Sequence, residues 1–141
     1  MYEGVQLEYM EFSEDDIQGA WDRATAVVGF DKTRFRKDAC GAWIMRNKYG
    51  DTDSLYGWVI DHIIPRALLK EKGIVDEKKV SAAINLRALQ HENNTSKSDD
   101  YPSYTAVVTS KGAENVKEWN FLQVNKKKQE DLNNFYELKI C

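Results

Sequence analysis

The sequence predicts a single α+β domain. Three features point there: an apolar repeat at helical spacing near the N-terminus, two short β-prone runs in the middle of the chain, and a polar helical stretch directly after the second run. A chain of 141 residues suits one domain and buries a modest core without disulfide staples. No internal repeat, low-complexity tract or Pro/Gly-rich linker divides it, so residues 1–141 are read as one unit.

Ser13, followed by Glu14, Asp15 and Asp16, reads as a helix start. The serine caps, and the acids favour the positive end of the helix dipole. Ile17, Ala20, Trp21, Ala24, Val27 and Val28 then recur at helical spacing, and Gly29 offers a stop. The spacing predicts a structural helix over 14–28. Residues 34–57 read as irregular, with Gly41, Gly50 and Gly57 as breakers. Trp58-Val59-Ile60 is a short strand ending at Asp61-His62, and Pro65 prevents its continuation. Residues 66–83 read as one or two short helices broken at Gly73. Asn85 to Leu89 form a second strand, and residues 90–98 suit a short polar helix. Beyond Tyr101, Tyr104–Val108 and Trp119–Val124 read as strands, and Leu132, Phe135 and Tyr136 suit a terminal amphipathic helix. This extension, 101–141, is expected to pack around the central module at 56–99.

Composition narrows the function classes. No apolar run approaches the roughly 20 residues of a membrane span, and the first residues lack a signal peptide's basic start and apolar core. The cysteines are Cys40 and Cys141, too few for a disulfide framework, so a reducing cytoplasm is the expected setting. The net charge of −3 is unusual for a nucleic-acid enzyme, but its distribution is uneven. Residues 1–33 hold eight acids and two bases, whereas residues 34–98 hold twelve bases and eight acids. Positive potential therefore falls on the central module; chance clustering on a solvated face is the competing reading.

Both of the chain's histidines lie in that module. His62 follows Asp61 at a strand end, an arrangement suited to phosphodiester hydrolysis. A carboxylate holds a hard divalent cation through oxygen, and an imidazole takes a proton from water near neutral pH. Asn94 comes thirty-two residues after His62 and offers a neutral oxygen to the same cation. Singly these residues say little. Asp-His is a common hydrogen-bonded loop pair, Asn85 is an ordinary turn or cap residue, and Asn94 on a polar helix is ordinarily solvated. Together, with Pro65, Asn85-Leu86 and Lys97 at their spacings, they are hard to obtain by accident.

GWVIDHIIP followed by NLRALQHENNTSKSD resembles the ββα-metal motif of HNH endonucleases. The likeness is strongest over 56–99 and extends loosely back through RKDACGAWI to Arg36. It implies a ββα-metal core with Asp61 as metal ligand, His62 as general base and Asn94 as second protein ligand. Asn85 becomes the middle asparagine that bonds loop backbone and keeps the histidine in register. Lys97 matches a basic residue often found near phosphate, although a plain surface lysine fits as well. The implied cofactor is a divalent cation, Mg²⁺ with Mn²⁺ as the alternative, and the implied partner is nucleic acid, DNA first.

Three departures stand out. Many relatives carry two CxxC pairs around a structural zinc; the corresponding positions here are Cys40, Trp43, Gln90 and Asn93. One thiolate cannot build a tetrahedral site, so no structural zinc is expected and apolar packing through Trp43 is expected in its place. The loop after His62 is longer than usual and partly helical, so loop contacts do not carry over. His91, three residues before Asn94, is either a further ligand or phosphate contact or, more simply, a partly buried polar residue. Arg34, Arg36, Arg46, Lys48, Arg66 and Lys70 flank the motif; Arg66 is the one expected to touch substrate. No helix-turn-helix or zinc-finger reader is visible. Two other readings stay open: a non-catalytic nucleic-acid-binding module of the same fold, and a nuclease acting mainly on RNA.

Overall fold

The computed structural model describes residues 12–138. Helix α1 (Glu14–Arg23) opens with a capping box: the Ser13 hydroxyl accepts from Asp16 N–H, and the Asp16 carboxylate accepts from Ser13 N–H. It ends at Arg23 rather than near residue 28. Ala24 turns extended, and Thr25 exchanges both backbone hydrogen bonds with Lys37 at 2.9 Å. Those bonds satisfy the chain as strand instead of helix, and Val28 ends up 99% exposed. Periodicity extended the helix too far because it could not see this distant strand partner.

Residues expected to be irregular contain a small hairpin, β1 (Phe35–Lys37) with β2 (Trp43–Met45). Next comes β3 (Trp58–His62), then α2 (Arg66–Glu71) and α3 (Glu77–Val80), separated at Gly73. β4 (Leu86–Gln90) returns antiparallel to β3 with Asp61 opposite Arg87 and His62 opposite Leu86. α4 (His91–Lys97) follows without a linker, because the Gln90 side chain caps it by accepting from Glu92 and Asn93 N–H. β5 (Ser103–Lys111) and β6 (Glu114–Gln123) form one long hairpin, and α5 (Lys126–Tyr136) closes the described chain. The expected strands and terminal helix of this region are present; both strands are longer than composition suggested.

Two cores hold these elements. In one, Ile17, Ala20 and Trp21 of α1 meet Ile44, Trp58, Ile60, Leu86 and Ala88. Fully burying side chains such as Ile17 contributes about 1.5–3 kcal/mol each. In the other, Ile63, Ile64, Leu69, Val80 and Leu89 meet Tyr104, Val124, Leu132 and Tyr136. The β3–β4 pair supplies residues to both cores, so the Asp61-His62 corner is braced by each. Gly57, just before β3, has no substitute: a Cβ there would stand 1.7 Å from the Asp51 carbonyl oxygen. Its own carbonyl accepts from His91 N–H, which ties this loop to the start of α4. Among the described residues no helix is long and apolar enough to cross a membrane.

Candidate active site

Asp61 and His62 end β3, where the pleat sends adjacent side chains to opposite faces. Asp61 is 4% exposed and holds two cations. Arg87, directly opposite on β4, donates its Nε to Oδ2 at 2.9 Å. The Lys97 ammonium stands 3.2 Å from Oδ1 and donates to the His62 carbonyl at 3.1 Å. Lys97, expected near phosphate, is thus fully buried and engaged inside the fold. Burial pushes its ammonium below the usual lysine range, against the pull of Asp61. One carboxylate against two cations leaves this buried cluster net positive.

His62 is only partly buried. Its Nε2 lies 2.9 Å from Ser81 Oγ, and Ser81 Oγ donates to Glu77 Oε2 at 3.3 Å. Glu77 receives Arg66 Nη1 on both oxygens, and Arg66 Nη2 stands 3.4 Å from the same histidine nitrogen. The Ser81 contact is compatible with either tautomer of the ring, whereas Arg66, a donor only, approaches Nε2 as an acceptor. Burial and the neighbouring Arg66 hold the His62 pKa below its ordinary 6.5, while Asp61 and Glu77 pull the other way. The ring is therefore neutral at pH 7. Ser81 and Glu77 gave no signal in the sequence, because their meeting with His62 depends on how the α2–α3 loop folds back.

Asn85 is fully buried at the start of β4. Its side chain accepts from Ile64 N–H at 2.8 Å and donates to the Ile64 and Val80 carbonyls at 3.1 Å. It pins both ends of the loop that carries His62 and Ser81. That contact set agrees with the backbone-bonding role expected of it, and it acts on the loop rather than on a substrate.

His62, Arg66 and Asn94 line two neighbouring cavities. One, of about 390 Å³, also takes Tyr49, Thr52 and His91; the other, of about 180 Å³, adds Asp61 and Asp99. The Asn94 carboxamide makes no hydrogen bond among the described residues and faces this space. His91 donates its Nε2 to the Ser54 carbonyl at 2.9 Å, which fixes the ring to the cavity wall and favours the structural reading of this residue. Asn93, one residue from Asn94, does the opposite. It is fully buried, and its carboxamide oxygen accepts from Val107 and Val108 N–H at the register shift in β5. A bulge leaves such groups without a ladder partner; Asn93 supplies it.

At the four positions 40, 43, 90 and 93, Trp43 is buried and meets the Phe30 ring at 4.5 Å, and a buried carboxylate ties the other three together. Asp38 is 3% exposed, and its Oδ1 accepts from Cys40 and Ala42 N–H at 2.9 Å. Its Oδ2 accepts from Gln90 N–H at 2.9 Å and Asn93 Nδ2 at 3.2 Å. Burial pushes the Asp38 carboxyl above its ordinary range, and these four donors pull it back. Trp43 is anchored separately: Asn115 bonds both its N–H and its carbonyl. The Cys40 thiol is buried, and its pKa is pushed up to about 12, chiefly by burial. It is a core group rather than a thiolate ligand.

Compared with family models, with curated proteins and with solved structures, the chain matches none of them. The smaller cavity offers two oxygen donors of the kind a hard cation takes, Asp61 and Asn94, with Arg87 and Lys97 as competing cations on the carboxylate. Each Asp61 oxygen has one cationic partner and so retains free lone pairs, and Asn94 adds a free carboxamide oxygen. Among the described residues no three His, Cys, Asp or Glu side chains converge on one point. A cation here would take two protein oxygens and keep water in the rest of its shell, which is how Mg²⁺ commonly binds.

Proposed function

We propose that this chain is a metal-dependent endonuclease of the HNH class that hydrolyses DNA phosphodiesters. The observation that carries the reading is that His62 and Asn94, far apart in sequence, line one cavity together with Asp61. In this reading Asp61 and Asn94 hold a divalent cation, which when bound supplies charge stabilisation at the phosphate. His62, as the neutral imidazole, takes the proton of the attacking water, while Ser81, itself held by Glu77, fixes the ring at Nε2. Arg66 flanks the cavity mouth, where a guanidinium orients a phosphate oxygen. Lys97 and Arg87 hold the Asp61 carboxylate in place.

Conversion of supercoiled plasmid to nicked and linear forms tests the proposal. Cleavage is expected with Mg²⁺ and not with EDTA. Duplex binding without cleavage in either Mg²⁺ or Mn²⁺ would instead favour the non-catalytic module, and cleavage confined to a parallel RNA substrate would move the activity to RNA.

The two adjacent asparagines separate sharply here. Asn94→Ala should raise the Mg²⁺ concentration needed for half-maximal nicking and lower the plateau rate, with thermal unfolding unchanged. Asn93→Ala leaves the Val107, Val108 and Asp38 groups without their partners and should lower stability by roughly 2–4 kcal/mol. If Asn93→Ala loses metal-dependent cleavage while Asn94→Ala behaves as wild type, the ligand assignment is wrong.

The pH profile follows from His62. Only the neutral imidazole accepts the water's proton, and the folded-state pKa lies below 6.5. The cleavage rate should therefore rise from acid with its midpoint below pH 6.5. An acid limb centred above pH 7 would contradict this environment. Linkage has the same sign: the unfolded chain binds the proton more readily, so His62 lowers stability as pH falls below 6.5.

A further inference from the structure

A third cavity, of about 360 Å³, shares no lining residue with the two at His62. It lies where the end of α1, strand β4 and the start of α5 meet. Arg23, Arg87 and Lys128 line it together with Thr25, Gln123 and Asn125, and no Asp or Glu is among its lining residues. The acids that act on Arg23, Asp16 and Asp22, belong to α1 and lie outside that lining.

The three cations are unevenly satisfied. Arg23 uses Nε and Nη2 on the Leu86 carbonyl, at 3.2 and 3.1 Å, and this holds its guanidinium against β4. Arg87 gives Nε to Asp61 and lies over the Tyr104 ring at 5.2 Å, but its Nη2 is buried with no hydrogen-bond partner among the described residues. Leaving a buried charged donor unmet is costly, so such a group takes an ordered water or a bound anion. Among the described residues Lys128 has no anionic partner, whereas its neighbour Lys127 pairs with Asp131. Lys126, Lys127 and Lys128 also fill the first turn of α5, where the helix dipole disfavours cations. An anion in the cavity would offset all three unfavourable features at once.

We propose that this cavity binds a phosphate group, and that on a nucleic-acid substrate it holds a backbone phosphate away from the one being cut. The source of the phosphate, though not the site, rests on the nuclease reading. Arg23 and Lys128 at the cavity edge contribute charge, and Arg87, the most buried of the three, contributes the unfilled N–H. Arg87 also bonds Asp61, so an occupied cavity touches the same guanidinium that steadies the candidate centre.

Two arms test this on the full chain. In the first, inorganic phosphate is titrated while backbone amide shifts are followed by NMR; Arg87, Asn125 and Lys128 are expected to move together and saturate. In the second, a fluorescent duplex is bound by the His62→Ala protein with and without Lys128→Glu, across a range of salt. Lys128→Glu should weaken binding by about 3–10-fold and flatten the logarithmic salt slope by about one, the signature of a lost phosphate contact. Lys128→Gln, a milder change at a partly buried position, should show the same direction and guards against a folding defect. Amide shifts with an unchanged duplex affinity would assign the site to a free phosphate. Neither shifts nor an affinity change would overturn the proposal. Weaker duplex binding by Lys128→Glu in a protein that never cleaves would sink the nuclease reading and leave this site standing.

Discussion

His62→Ala is expected to lower plasmid cleavage in Mg²⁺ by about 10²–10⁴-fold, the usual cost of losing a general base. Duplex affinity and the circular dichroism spectrum should hardly change. His62 is only partly buried, and its ring meets Phe12 at 5.7 Å without filling either core. Ser81 keeps Glu77 as a partner when the histidine is gone. Cleavage within a few fold of wild type would remove His62 from the mechanism. The companion variant is Ser81→Ala. It leaves the imidazole present but frees Nε2 from its 2.9 Å contact. A rate loss smaller than that of His62→Ala, with an altered acid limb, is the mark of a residue that positions the base.

Asp38→Ala is expected to have the largest effect on stability. Four donors converge on this buried carboxylate, three of them backbone N–H groups that have no water to turn to. A buried donor left unsatisfied costs about 1–3 kcal/mol, so the loss is on the order of 4 kcal/mol or more. That is a large part of the roughly 5–15 kcal/mol that holds a domain of ordinary stability. Asp38→Asn should lose less, because one carbonyl oxygen remains to accept two of the four bonds. Urea unfolding measures both. A shift below about 1 kcal/mol for Asp38→Ala would mean that the β1–β2 hairpin is held to α4 by its apolar contacts after all.

These two residues mark how unevenly the molecule could be read from its sequence. Asp61, His62, Asn85 and Asn94 stood out because their chemistry and spacing are local facts, carried by a strand end and one short helix. Their surroundings did not. Asp38 lay unmarked in a stretch read as irregular, since nothing near it in the chain reveals that Gln90 and Asn93 will deliver two of its donors from more than fifty positions away. Lys97 read as a phosphate neighbour or a surface lysine, and only the approach of α4 to β3 turns it inward to Asp61.

The sequence by itself determined the α+β class, the cap at Ser13, the break at Gly73, the β3–β4–α4 order and the terminal helix. Each follows from periodicity, capping or backbone restriction within a few residues. Tertiary structure decided where α1 stops, that residues 34–57 contain a hairpin, which charges surround Asp61, and what stands at the four positions around Cys40. Those outcomes depend on pairing and burial between segments far apart in the chain. A strand partner satisfies backbone groups that local propensity would have kept helical, and the loss of water makes each buried charge seek whichever donor the fold brings to it.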